Sequence, residues 1–145
     1  MAISRHATAR WEGDLKNGQG SLSTPTSGLM DDTGYGFNSR FGDGKGTNPE
    51  ELIAAAHAGC FTMYLSNLLA EAGHVATRLE TRAEVDLSTE GGPSLSQIRL
   101  KLEGEVPGID DAEFQRLAAD ARDNCPVSKA LQAVPKSLEA TLRKG

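Results

Sequence analysis

From Asn48 to Gly73 the chain reads NPEELIAAAHAGCFTMYLSNLLAEAG, a mostly apolar stretch that predicts one long helix. Its start is written in the residues. Asn48 can cap, Pro49 suits the first helical position, and Glu51 completes an Asn-x-x-Glu pattern that resembles a capping box. That gives Glu51 a structural task and leaves Glu50 without one. Gly73 is a natural C-terminal glycine. The Ala-rich first half, AAAHAG, lacks bulk, so another helix can pack closely there. A single cysteine, Cys60, stands in the middle of the helix.

Ahead of this helix the first forty residues read as strands and turns. Trp11 and Glu12 precede turns at Gly13, Asn17-Gly18 and Gly20, and Asn-Gly is a strong hairpin signal. GYGFNSRF, 34–41, has alternating aromatics and reads as a short strand. The glycines at 42, 44 and 46 then mark a loop. After the helix the period changes to two. Leu79, Ala83, Val85 and Leu87 alternate with charged residues, as do Ile98, Leu100 and Leu102, with TEGGPS between the two runs. This predicts an antiparallel hairpin with one buried and one wet face. A second helix starts at Asp110, with Phe114, Leu117, Ala118 and Ala121 as its apolar face. Asn124 closes it, Pro126 opens a short third helix, and Cys125 falls at the N-cap between them. The tail VPKSLEATLRK reads as a last strand. Helices segregated from antiparallel strands give an α+β class, and 145 residues suit one domain, 1–145.

The net charge is -5 and there is no basic stripe, which argues against nucleic acid. Asn67 and Glu71 interrupt the apolar run before it reaches the length of a membrane span. The N-terminus, MAISRHATARWEGD, lacks the order of a secretory signal. The expectation is a soluble cytoplasmic protein with no membrane partner. In a reducing cytoplasm a structural disulfide is disfavoured, while a catalytic or sensing cysteine pair is allowed.

A cysteine reacts as its thiolate, which a nearby cation or a helix start favours. Cys125 has the helix start. Cys60 lies too far along its helix for the dipole to act, so a reactive Cys60 needs a cation from elsewhere. Arg40 is a candidate, although by itself it reads as a solvated arginine beside a turn. His57, three residues before Cys60, has three readings: a core histidine, the base of a Cys60–His57 hydrolase or acyl transferase, or a metal ligand with Cys60. Metal is the weakest, because no CxxC spacing and no dense ligand cluster occurs.

GTNPEELIAAAHAGCF followed by NCPVSKAL closely resembles the OsmC (osmotically inducible protein C) branch of the OsmC/Ohr thiol peroxidases. ARWEGDLKNGQG, GFNSRFGDGKG and EVPGID also look like this branch, so the resemblance spans nearly the whole chain. The arginine in SRF, just before the glycine-rich loop, distinguishes OsmC from Ohr. The resemblance implies antiparallel sheets around central helices in an intertwined homodimer with the active site at the subunit interface. It implies no metal or other cofactor, and a dithiol reductant, for which related Ohr enzymes use protein-bound lipoyl groups. Residue by residue, Cys60 matches the peroxidatic cysteine, Cys125 the resolving cysteine that joins it in a disulfide, Arg40 the arginine that holds the thiolate and polarises the peroxide, and Glu50 the glutamate that orients that arginine. The implied reaction is reduction of organic hydroperoxides and hydrogen peroxide. A non-enzymatic member of the fold that senses oxidants or binds a ligand is a further alternative. Phe61, Met63 and Tyr64 read as core, with some free to line a substrate pocket.

Two geometric expectations follow. Glu50 and Cys60 are ten residues apart, roughly 15 Å on a straight helix. Either the helix breaks near 56–59, or Arg40 and Glu50 serve Cys60 from the partner subunit. A disulfide requires Cα atoms within about 7 Å, so the helix carrying Cys60 must pack against the start of the CPVS helix.

Overall fold

The computed structural model describes residues 1–143 and divides into two units, Met1–Leu52 and Ile53–Gly145. The architecture is α+β, with helices set apart from largely antiparallel strands.

In the first unit, β1 (Thr8–Glu12), β2 (Gln19–Ser23) and β3 (Thr33–Tyr35) form an antiparallel sheet in that order. The turn from β1 to β2 spans six residues, and Asn17 is held by its backbone N–H to the Asp14 carboxylate at 2.7 Å. Phe37–Phe41 is a short helix, α1, where the sequence suggested a strand. The overlooked signal is the four-residue spacing of Phe37 and Phe41, which stacks the two rings 5.0 Å apart on one helical face. Ser39 Oγ caps the turn from both sides, accepting from Gly36 N–H at 2.9 Å and donating to Gly36 O at 3.0 Å.

Helix α2 runs unbroken from Pro49 to Glu71. Asn48 caps it, its side-chain oxygen accepting from Glu51 N–H at 2.8 Å. The Glu51 carboxylate does not return to the cap; it accepts from Thr47 Oγ1 at 2.8 Å. At the other end Gly73 takes a positive φ of 89. His74 N–H reaches Leu69 O at 2.8 Å and Gly73 N–H reaches Ala70 O at 3.0 Å, the two bonds of a Schellman ending. By length and composition α2 would serve as a membrane span despite Asn67 and Glu71. One of its faces is nonetheless the core of the second unit.

That core holds Phe61, Leu65 and Leu69 of α2 against Ile98, Leu100 and Leu102 of β5 and Phe114, Leu117, Ala118 and Ala121 of α3, all buried. Strand β4 (Arg78–Ser88) pairs antiparallel with β5 (Ser94–Glu105), with a bulge at Asp86/Leu87. Helix α3 (Asp111–Asn124) is capped by Asp110, which accepts from Glu113 N–H at 2.8 Å. Glu113 itself grips Arg116 rather than closing a capping box. Helix α4 (Pro126–Ala130) follows at once. The last strand, β6 (Lys136–Arg143), pairs with β5 in parallel, opposing Ile98 to Lys136. The two intervening helices supply the long crossover that a parallel pair needs.

Gly104 of β5 faces the Phe114 ring so closely that a Cβ there would lie 2.9 Å from two ring carbons and 3.1 Å from Leu79. Gly104→Ala is expected to cost about 1–3 kcal/mol in urea denaturation, as overpacking does. Adding Phe114→Leu, which makes room, should give a double mutant less destabilised than the sum of the singles. Strict additivity would mean that the ring is not what the new methyl meets.

Candidate active site

The structure holds two clusters of the residues singled out in the sequence, one in each unit. In the first, Arg40 at the end of α1 donates Nε–H to Glu50 Oε1 at 3.1 Å and Nη2–H to Oε2 at 3.0 Å. This two-pronged pairing fixes the guanidinium plane as well as its place. The Glu50 side chain is 10% exposed and that of Arg40 36% exposed, so the pair is partly desolvated with its arginine end open. Helix geometry puts Glu50 there, since Asn48 caps and Pro49 leads, leaving Glu50 in the first turn. Asn48 Nδ2 also ties the loop down by donating to Ser39 O at 2.8 Å. An apolar cavity of about 300 Å³ borders Arg40, walled by Trp11, Leu15, Tyr35, Phe37 and Phe41. Trp11 and Tyr35 meet edge-on at 5.6 Å. These aromatics were not read from the sequence as the walls of a pocket, though Tyr35, Phe37 and Phe41 stand out in the GYGFNSRF pattern.

In the second unit Cys60 lies beside Cys125. The Val127 N–H and the Cys125 thiol are the polar groups that act on its sulfur. Cys60 is half-buried and Cys125 fully buried, and both are free thiols. Cys125 occupies the junction between two helices: its N–H closes α3 on Ala121 O at 3.1 Å, and its sulfur accepts from Ser128 N–H at 3.4 Å to start α4. Burial, and then the neighbouring Cys125, push the Cys60 thiol above its ordinary value, and the Val127 N–H only partly offsets this. Among the described residues no cation is one of the groups acting on it, and burial favours the neutral thiol.

His57 is fully buried. Its Nε2 lies 2.6 Å from Ser128 Oγ, and the Cys125 thiol donates to that same oxygen at 3.2 Å. His57 is therefore engaged with Ser128 rather than Cys60, and the Cys60–His57 hydrolase loses its base. Its Nδ1 is buried without a partner. Burial, and then the Lys136 ammonium, lower the proton affinity of His57 and keep the ring neutral. Ser128 was missed in the sequence, where CPVS pointed only to its cysteine. Of the three apolar neighbours of Cys60, Phe61 is core, Tyr64 packs against the core, and Met63 is 77% exposed. Among the described residues no three His, Cys, Asp or Glu converge as a metal site would require.

The OsmC-like protein family model matches residues 42–139. The peroxiredoxin OsmC of Escherichia coli (strain K12) is 48% identical over 134 residues, covering 92% of this chain and 93% of that protein. The organic hydroperoxide resistance protein of Xanthomonas axonopodis pv. citri is 38% identical over 89 residues, 60% of this chain and 61% of its own length. Among solved structures, the organic hydroperoxide resistance protein OhrB of Bacillus subtilis superposes with a TM-score of 0.66 at 25% identity, covering 95% of this chain and 98% of that one.

The buried neutral His57 ties stability to pH. Its folded proton affinity is depressed below the usual histidine value of 6.5, so the stability present above that value is lost as pH falls below it. The thermal midpoint of the wild type should decline across that range, and His57→Gln should decline less steeply. Parallel pH profiles for the two proteins would show that His57 does not titrate on unfolding.

Proposed function

The chain belongs to the OsmC family, and from that membership we propose that it is a thiol-dependent peroxidase acting on organic hydroperoxides, with hydrogen peroxide the smallest member of the same substrate class. The observation that carries the reading is the pair of free thiols, Cys60 beside a buried Cys125. The Cys60 thiolate attacks the O–O bond and takes one oxygen as a sulfenic acid, and the rest of the peroxide leaves as an alcohol. The Cys125 thiol then condenses with the sulfenic acid, forming a disulfide and releasing water. A dithiol, such as a protein-bound dihydrolipoyl group, exchanges with that disulfide and restores both thiols.

The thiolate needs a cation, and Arg40, oriented by Glu50, supplies it. A guanidinium already locked to a carboxylate costs little further ordering when it engages sulfur and peroxide. The apolar cavity beside Arg40 suits the hydrocarbon part of an organic hydroperoxide. Because α2 does not break, Glu50 and Cys60 stay roughly 15 Å apart along it. The active form is accordingly a homodimer in which Arg40 and Glu50 of one subunit serve Cys60 and Cys125 of the other. Two observations support this arrangement. No apolar side chain of 1–52 is fully buried, and α2 leaves Ala55, Ala56, Gly59 and Met63 exposed on its small-residue side. The family match crosses the boundary between the two units, which supports residues 1–145 as one functional domain. Free thiols and a net charge of -5 fit a cytoplasmic enzyme with no nucleic-acid or membrane partner.

One equivalent of an organic hydroperoxide should remove both thiols of the wild type within a single turnover, read by intact mass and thiol count, and neither thiol of Cys60→Ser. Retention of thiols by the wild type would sink the peroxidase. The composite site has its own test, because co-expressed Cys60→Ser and Arg40→Ala chains are each inactive alone. In a two-fold dimer their mixture should recover about a quarter of wild-type activity, since half the dimers carry one intact site. No recovery would place Arg40 and Cys60 in the same subunit.

A further inference from the structure

In the peroxidase cycle above, Cys125 must give up a proton as its sulfur joins Cys60 and must regain one when the disulfide opens. Cys125 is fully buried, so bulk water does not reach its sulfur. The neighbouring polar atoms form a short chain: the Cys125 thiol donates to Ser128 Oγ at 3.2 Å, and Ser128 Oγ lies 2.6 Å from His57 Nε2. All three residues are buried. We propose, on the peroxidase reading, that Ser128 and His57 are a proton relay for the resolving cysteine, with Ser128 in contact with the reacting sulfur and His57 acting through it.

The chain of atoms fits this task better than a packing role. A buried histidine with Nδ1 unpaired is a costly filler, and a phenylalanine or leucine would occupy the space without orphaning a polar atom. The polar partner of His57 is the same hydroxyl that touches the sulfur. The groups that face the relay are the Lys136 ammonium, which acts on both His57 and Cys125, and the Cys60 thiol. Lys136 is itself held by Leu131 O at 2.6 Å and Val134 O at 3.0 Å. With burial it holds His57 in the neutral form, the form that can take up a proton. Ser128 also borders an open cavity of about 580 Å³, shared with Arg122, Asp123 and Lys136, through which the relay equilibrates with solvent.

The steps balance in both directions. On closure the Cys60–Cys125 S–S bond forms and the Cys60 S–O bond breaks. The Cys125 proton passes through Ser128 Oγ to His57 Nε2, the departing hydroxide takes one proton from solvent, and His57 returns one to solvent, so the sum is one disulfide and one water. On reduction the external dithiol attacks Cys60, the more exposed sulfur of the pair, and Cys125 leaves as a thiolate. It takes its proton back along the same path. The second thiol of the reductant then displaces Cys60, and the reductant ends as a cyclic disulfide.

The experiment is rapid-quench oxidation with one equivalent of an organic hydroperoxide, trapping Cys60 sulfenic acid with a 1,3-dione and following disulfide by mass. The chains are wild type, Ser128→Ala, Ser128→Thr and His57→Gln. Cys60 oxidation should proceed at the wild-type rate in all four, which also reports an intact fold. In Ser128→Ala and His57→Gln the sulfenic acid should persist, with closure slowed about 100-fold, within the usual range for lost acid–base assistance. Ser128→Thr, which keeps the hydroxyl, should close nearly as fast as wild type. The pH dependence of closure should flatten in His57→Gln. Wild-type closure in Ser128→Ala and His57→Gln overturns the relay alone, and so does a Ser128→Thr as slow as Ser128→Ala. Equal slowing of both steps also counts against it, since a packing defect would suffice. A wild type that yields neither sulfenic acid nor disulfide overturns the peroxidase and the relay together.

Discussion

The packing of one stripe of α2 against β5 and α3 sets the positions of the Cys60 sulfur and the His57 ring. The stripe is His57, Phe61, Leu65 and Leu69, spaced four residues apart and all buried. Burying each large apolar side chain contributes about 1.5–3 kcal/mol, against about 0.5–1.5 kcal/mol for a neutral hydrogen bond such as those around Ser128. The helix is therefore placed by its hydrophobes, and the chemistry takes the positions that remain. Cys60 falls one residue off the stripe, which explains why it is only half-buried. His57 falls on the stripe, which explains why a polar ring is enclosed at all.

Much of this was readable from residue patterns. Asn48-Pro49 announced the start of α2 and Gly73 its end, and the alternation around Ile98, Leu100 and Leu102 announced the central strand. Asn124-Cys125-Pro126 announced a helix junction with the cysteine at its hinge. What escaped depended on partners distant in sequence. The aromatics of GYGFNSRF follow a period of two and a period of four equally well, so the strand and helix readings could be separated only by the loop and β3 around them. The parallel direction of β6 depends on how far α3 and α4 carry the chain, which no local pattern records. Ser128 is 71 residues from the histidine it meets, and a serine inside a short helix carries no mark of such a contact. The four matched site residues were named through family resemblance, because spacing alone left Arg40 as a solvated side chain and His57 with three readings.

The electrostatics divide the site's work. In the second unit, burial and the neighbouring thiol make the Cys60 thiolate unfavourable. In the first unit a guanidinium is held ready in a two-pronged pair with a buried carboxylate. In the proposed dimer, charge and sulfur come from different clusters, and reactivity then depends on assembly rather than on an intrinsically acidic cysteine.

The parallel closure of β6 on β5 bears on how the protein is made. Chains emerge from the ribosome N-terminus first and fold as domains become available. Cys60 therefore leaves the tunnel 65 positions ahead of Cys125. The strand that completes the sheet beyond Cys125 runs to Arg143. Pairings this distant in sequence form late. During synthesis the early thiol rides on a nascent helix with neither Cys125 nor the finished sheet in place. The two sulfurs can meet only after Cys125 and the strand beyond it have emerged.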